Sequence, residues 1–477
     1  MKHIVVVGGG VSGLAAAYRL RNAARVTLVE ASDRLGGVIR TEQRAGYVMD
    51  GGPDSFLTKL GIVELCQELG LQEELIPTNR EYPRSFVVRG LGLHPPNGFY
   101  LLAPTSLRAL WRSPLLSLGG KVRAAMDLLL PRPAPQHEDE SLANFVRRRF
   151  GRELLTRVAQ PLAGGIYTAD PERLSLAATQ PQFLDMEREF RSVIRALRHR
   201  QAEPVSGARY TRFLTLRTGM QALTDRLAAE LRKAADVRLN APAGAVRGRS
   251  GGWEVELTDG QLLTADGVCL CLPAYTAARL LAPQSAAAAD SDSNRQGGPL
   301  PASLLGEIPY ASSATINLGF RREQVRHALD GMGLVIPDIE RRSIIACTFS
   351  SVKFPGRAPE GRVLLRAFAG GELARSRYAA ADAELVAGAL KDLDDLLGLD
   401  GEPEVCWVSR CPESMPQYQL GHLARLSELE AALQRLPGLA LAGNGYRGVG
   451  VPDCVASGFA AADRLLLAAA GELSVQL

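Results

Sequence analysis

The chain has 477 residues, enough for two or three domains and a large core. Its 55 Lys and Arg stand against 51 Asp and Glu, a net charge of +4 that argues against nucleic-acid binding, and its hydrophobic content of 46% is that of a globular enzyme. No uncharged apolar stretch reaches the roughly 18 residues of a membrane-spanning helix, and the scattered cysteines show neither a C-x-x-C pair nor zinc spacing.

The chain opens MKHIVVVGGGVSGLAAAYRL, with no stretch that reads as a signal peptide, and a reduced cytoplasmic setting is expected. Residues 4–7 form an apolar β-branched run, the pattern of a strand buried on both faces. Val11, Leu14, Ala15 and Tyr18 then recur at helical spacing, and a second apolar run, 26–29, closes on Glu30. Between strand and helix stand Gly8, Gly10 and Gly13 as G-x-G-x-x-G. Such glycines give a tight turn, close approach to a pyrophosphate and close helix–strand packing. The helix start offers free N–H groups and a positive dipole end. Glu30 is placed to accept hydrogen bonds from an adenosine ribose. An acid rather than an arginine at this position disfavours a 2′-phosphate, leaving FAD or NAD.

After Glu30 comes ASDRLGGVIRT, where a plain NAD-binding unit would begin another βαβ repeat. Gly36 and Gly37 let the backbone pass close to a flat or anionic group, and Arg34 offers a fork of donors to phosphate. GYVMDGGPDSF then reads as a β-hairpin-like return. Residues 90–205 read mostly helical, with proline-rich breaks at 95–96 and 131–135. SPLLSLGGKVRAAMDLLLP is amphipathic and EREFRSVIRALRHR strongly basic; such a face can lie on an anionic membrane, but a solvated face is the ordinary reading, and membrane contact is not expected. A helix over 216–231 leads to GGWEVELTDGQLLTADGVCLCLP, a hairpin around Asp259-Gly260. Cys269 and Cys271 share one side of its final run and read as core. Residues 285–303 are low in complexity and read as a loop, and 310–370 carry short β-rich runs. Near the end, 439–442 reads as a buried strand followed by Gly-Asn-Gly. Pro452 then stands near the first turn of a helix, whose start suits negative charge such as the N1–C2=O edge of a flavin.

VVGGGVSGLAAAYRL, VEASDRLGGVIRT, GGPDSF and GYRGVGVPDCVASG together resemble the FAD-dependent amine-oxidase-like superfamily. More narrowly, QPLAGGIYTADPERLSLAATQPQF and ESMPQYQLGHL are similar to the oxygen-dependent porphyrinogen oxidases of haem synthesis. Through GGPDSFL, GGKVRAAMDLLLP, IIACTF and ESMPQY the chain looks most like their bacterial coproporphyrinogen III oxidase branch. The similarity covers nearly the whole chain, with its landmarks in family order.

The resemblance implies an α/β fold, a Rossmann-like FAD-binding domain joined to a β-rich substrate domain and a helical subdomain. It implies a discontinuous FAD domain over 1–85, 206–275 and 405–477, a helical subdomain over 86–205 and a substrate domain over 276–404. It implies FAD contacts at Gly8, Gly9, Gly10, Val11, Ser12, Gly13, Glu30, Ala31, Arg34, Gly36, Gly37, Gly52, Pro53, Asp54, Ser55, Gly450, Val451 and Pro452, with the Val246 backbone on the adenine side. It places Gly165 in a glycine-rich turn at the reacting carbon, and Lys59 and Phe368 against the substrate. The chain departs from the family pattern in two places. Thr168-Ala169 stands where Ala-Gly is common, and only Lys59 remains of a basic pair after GPDSFL. The implied activity is six-electron oxidation of a porphyrinogen in three flavin cycles, with oxygen as acceptor and hydrogen peroxide as product. Protoporphyrinogen IX is the alternative substrate to coproporphyrinogen III. An amine oxidase, a carotenoid desaturase and an escort protein without flavin are more distant readings. No metal site and no nucleic-acid partner is expected, and the sequence does not fix an oligomeric state.

Overall fold

The β-branched run at the start forms the strand His3–Val7, the centre of a five-stranded parallel sheet ordered Asp236–Arg238, Arg25–Val29, His3–Val7, Gly267–Leu270 and Leu439–Leu441. In this computed structural model residues 1–131, 139–200, 213–289 and 300–470 are described. Alternation along the central strand explains its unbroken apolar character. Ile4 and Val6 pack on one face against the helices Val11–Leu20, Gln221–Leu231 and Val451–Ala470, while Val5 and Val7 pack on the other. That second face is covered by an antiparallel layer, Ala243–Arg249, Gly252–Leu257 and Leu262–Ala265, turning at Asp259-Gly260 as expected. Each Val or Leu so buried contributes roughly 1.5–3 kcal/mol.

A second sheet of seven strands runs Val405–Pro416, Tyr310–Arg321, Arg362–Gly370, Ala346–Phe349, Gly333–Val335, Phe86–Arg89 and Gly92–His94. One face packs on the helix Asp382–Leu397 through Leu385, Ala389 and Leu393. The other carries Thr315, Asn317 and Arg366, all buried polar groups, and meets the nucleotide body. A third body of helices, among them Leu118–Ala125, Leu142–Phe150 and Val193–Arg200, encloses Leu110, Phe145, Phe150, Phe183 and Ile194. Inside it Arg149 meets Asp127 at 2.8 Å, both out of water, and burial pushes the Asp127 carboxyl up against the pull of Arg149.

The structure moves two expected boundaries. Val405–Pro416 pairs along Tyr310–Arg321 in the seven-stranded sheet, and Phe86–Arg89 with Gly92–His94 belongs to the same sheet, not to the helical body. Strand partners this remote leave no local trace in the chain. The loop expected over 285–303 is also corrected: 285–289 ends the helix Ala274–Ala289, and Pro301–Gly306 is helical. The alanine run favours helix over loop, and proline is well placed at a helix start. The rest of that stretch, 290–299, lies outside the described residues, as do 132–135 of the second proline-rich break and 206–212 of the expected FAD domain. Among the described residues no helix is long and apolar enough to cross a membrane.

Candidate functional site

The glycine turn sits at the carboxyl end of the central strand, where open α/β sheets bind ligands. Gly8 adopts φ +104°, and a Cβ on Gly13 would stand 1.9 Å from the Gly8 carbonyl oxygen, so neither position admits a side chain. Gly10 faces open space, and the helix Val11–Leu20 has no side-chain cap on its first amides. Ser12 is buried at the start of that helix. Open room before uncapped amides fits a pyrophosphate.

Glu30 closes the second strand. Its Oε2 accepts the Gly9 N–H at 2.6 Å, and its Oε1 accepts the Ser32 N–H at 2.9 Å and hydroxyl at 2.8 Å. Ala31, between these contacts, is exposed. Val246 is buried in the strand Ala243–Arg249 with its side chain in the core, so only its backbone is available to a ligand. Arg34 is engaged by its own loop. Its guanidinium donates to the carbonyls of Leu35 at 2.7 Å, Gly37 at 2.6 Å and Ile39 at 3.1 Å. A loop this tight leaves its own carbonyls unpaired, and they take the fork expected for phosphate.

From the turn a line of close contacts leads toward the second sheet. The Gly36 N–H donates to the Gly9 carbonyl at 2.8 Å, and a Cβ on Gly37 would lie 3.2 Å from the Gly10 Cα. A Cβ on Gly52 would strike the Val38 carbonyl at 2.0 Å. Pro53, Asp54 and Ser55 follow, with the Ser55 hydroxyl donating to Asp54 at 2.7 Å. The sheet face holds this segment by its carbonyls: Asn317 donates to Asp50 at 3.4 Å, Thr315 to Gly51 at 3.0 Å and Arg366 to Gly52. Burial alone would raise the Asp54 carboxyl, but Lys353 and Arg366 outweigh it and hold it well below the carboxylate range.

The third segment approaches from the far end of the chain. A Cβ on Gly458 would lie 2.3 Å from the Ser12 carbonyl, so the helix Val451–Ala470 runs against the first helix. It therefore starts about 10 Å beyond Ser12, at 1.5 Å per residue. Gly450, Val451 and Pro452 form that start, and Asp453 already accepts the Gly450 N–H at 3.2 Å. Lys59 is not a free cation, since its Nζ lies 2.7 Å from Asp453. This ion pair ties the first segment to the third. Gly165 is corrected as well. It lies within the helix Gln160–Tyr167, not in a turn, and a Cβ there would meet only Val335, at 3.7 Å. The turn comes at Thr168, with φ +48°. Phe368 is half-buried beneath the Arg366 guanidinium, 4.7 Å from it.

Sequence reasoning missed Lys353, Arg357 and Arg366. An arginine inside the apolar run VLLRAFAG was the available signal for the last. All seven cysteines are free, and Cys269 and Cys271 are core residues with sulfurs 3.4 Å apart. No cluster of metal-ligating side chains occurs among the described residues. A cleft of about 590 Å³ lined by Lys2, Trp253, Asp266 and Pro437 lies at the amino ends of the parallel strands, remote from the glycine turn.

A glycine-lined dinucleotide cradle on a parallel sheet, closed by a second sheet, defines a flavoprotein oxidoreductase architecture. The model for flavin containing amine oxidoreductases matches residues 11–466, and the chain belongs to this family. The flavin expected from the sequence, FAD, agrees with both the family and the cradle. Within the family, coproporphyrinogen III oxidase of Bacillus subtilis (strain 168) is 36% identical, covering 96% of this chain and 97% of its own. The chloroplastic protoporphyrinogen oxidase of Nicotiana tabacum is 31% identical, covering 97% and 85%. A solved structure from Exiguobacterium sp. 255-15 superposes with a TM-score of 0.84 at 31% identity, covering 99% of each chain.

Proposed function

We propose that the protein oxidises coproporphyrinogen III to coproporphyrin III in haem synthesis, in the cytoplasm. The observation that carries this reading is full-length similarity to the coproporphyrinogen III oxidase of Bacillus subtilis (strain 168). Bound FAD would supply two-electron hydride acceptance, so six electrons leave in three cycles, with oxygen as final acceptor and hydrogen peroxide as product.

The chain's own residues position and exclude rather than react, as cofactor chemistry requires. Gly8 to Gly13 and the start of the helix Val11–Leu20 hold the pyrophosphate. Glu30 takes the ribose, and the Val246 backbone borders the adenine. Gly36, Gly37 and the Gly52–Ser55 stretch carry the ring system toward the second sheet. Gly450 to Pro452 bring a helix start to its electron-rich edge, where the Asp453 charge is offset by Lys59. Gly165 and Phe368 border the macrocycle from opposite bodies. Lys59 acts on the cofactor end in this arrangement, not on a substrate carboxylate.

The test is kcat/KM for coproporphyrinogen III and protoporphyrinogen IX under air, followed by porphyrin fluorescence with spontaneous oxidation subtracted. Preference for coproporphyrinogen III is expected, with peroxide formed in step with porphyrin. Preference for protoporphyrinogen IX would move the enzyme to that substrate and overturn the reading.

A further inference from the structure

Around the Asp50–Asp54 segment, side chains from the strand Arg362–Gly370 and the helix and loop before it bring more positive than negative charge. Lys353 Nζ lies 3.0 Å from each Asp54 carboxylate oxygen, and Arg366 Nη1 lies 3.6 Å from the same group. Arg357 is matched separately, by Asp50 at 3.0 Å. Within this set three cations meet two carboxylates, and one positive charge stays uncompensated.

Arg357 and Arg366 each keep a buried donor without an acceptor among the described residues, and Arg366 is the one of the two whose carboxylate is shared with Lys353. It is only 4% exposed, yet its Nε meets no acceptor among the described residues. Its Nη2 donates to the Gly52 carbonyl, and its plane lies over the Phe368 ring. Positions 366 and 368 are two apart on one strand, so both side chains leave the same face. A buried, uncompensated charge with an unused donor is costly to maintain. It becomes favourable when an anion arrives, and a guanidinium fork suits a carboxylate.

We propose that Arg366 and Lys353, braced by Asp54, form the binding site for a substrate carboxylate and set the preference between porphyrinogens. The proposal rests on the porphyrinogen oxidase reading and deepens it. Coproporphyrinogen III carries four propionates, whereas protoporphyrinogen IX has vinyls in place of two of them. The macrocycle stacks beside Phe368 with one propionate on the cations. A vinyl at that corner leaves the charge unanswered, which selects against the substrate that lacks the acid.

The test uses the FAD-loaded enzyme and two readouts. The first is the ratio of kcat/KM for coproporphyrinogen III over protoporphyrinogen IX. The second is the ratio of the dissociation constant of deuteroporphyrin IX to that of coproporphyrin III, with two and four carboxylates, from fluorescence quenching. Arg366→Gln is expected to lower both ratios about tenfold or more, the kinetic loss falling on KM, and Arg366→Lys to recover part of it. Equal losses on both substrates would overturn the proposal and leave Arg366 a brace for Gly52. A shifted flavin reduction potential with unchanged ratios would also overturn it, assigning the cations to the cofactor. If Arg366→Gln does not retain FAD, Lys353→Met is judged by the same ratios. If the wild type oxidises neither porphyrinogen, the parent reading fails. The carboxylate site is then decided by the binding ratio alone: a drop in the variant supports it and no change overturns it.

Discussion

Glu30 shows how a single carboxylate can brace a loop at the mouth of a candidate ligand site. One oxygen braces Gly9 and the other braces Ser32, which fixes the acid at the mouth of the glycine turn. Glu30→Ala removes these contacts and the acceptor for a ribose. With charged hydrogen bonds contributing about 1.5–3 kcal/mol each, the FAD dissociation constant should rise roughly ten- to a hundredfold. Titration of apoprotein with FAD by flavin fluorescence measures this, and an unchanged constant would show that Glu30 only braces the loop. The positions of the glycines and Glu30 in the fold were legible because their signals are local: a turn, a strand end, a helix start. The contacts of Arg34 with carbonyls of its own loop were not legible, since a phosphate argument ignores them. Nor was the Lys59–Asp453 contact, because Asp453 lies far away in sequence and 2.7 Å away in space. Thr168 carried a visible irregularity, and the structure gives it a left-handed backbone that a β-branched residue rarely adopts.

At the scale of elements, periodicity located the first strand–helix–strand unit, the hairpin at Asp259-Gly260 and the last helix. It could not assign Val405–Pro416 to a sheet, since the partner strand lies about a hundred residues earlier. The loop before the last helix was likewise read only as Gly-Asn-Gly, although its position is fixed by tertiary contacts. His422 opens the helix His422–Gln434, stacks on Tyr418 at 4.2 Å, and its Nε2–H donates to the Tyr446 carbonyl at 2.9 Å. Its Nδ1 is buried without a partner among the described residues, so a second proton there would find no acceptor among them. Burial pushes the imidazole below its ordinary value, Arg425 and Arg447 add to this, and the Tyr446 carbonyl and Asp139 oppose it. The native state therefore binds fewer protons than the unfolded chain below about pH 6.5. Stability is present above that pH and falls as the solution is acidified through it, by at most about 1.4 kcal/mol per pH unit for one proton. Urea midpoints of wild type and His422→Gln between pH 7.5 and pH 5.5 should converge on acidification. Parallel curves would show that His422 is protonated at no cost.

At the scale of the molecule, the three bodies were legible from the resemblance, but what joins them was not. The sheet holds three successive carbonyls, those of Asp50, Gly51 and Gly52, and beside them runs the Asp50–Arg357 pair. Arg357 is 2% exposed and also donates to Thr215 at 2.6 Å, while Asp50 accepts from Thr41 at 2.6 Å and from the Met220 N–H at 2.9 Å. One ion pair thus connects the hairpin Thr41–Asp50, the segment before Gln221–Leu231 and the loop that leads into the strand Arg362–Gly370. Removing one partner of such a pair leaves a buried charge and costs about 3–5 kcal/mol. Arg357→Gln should lose that much at pH 7 in urea unfolding and release FAD more readily, because Gly52 packs on Val38 beside the glycine turn. The pH dependence separates a stranded charge from lost packing. Burial already pushes the Asp50 carboxyl above its unfolded value, and Arg357 restrains that rise. Without Arg357 the native state binds the proton more tightly, so the deficit should shrink as pH falls from 7 toward 5. Asp50→Asn in the same background removes the stranded charge and keeps an acceptor for Thr41 and Met220, and should recover part of the loss at pH 7. A deficit that is constant with pH and untouched by Asp50→Asn would mean that Arg357 stabilises the junction by packing alone.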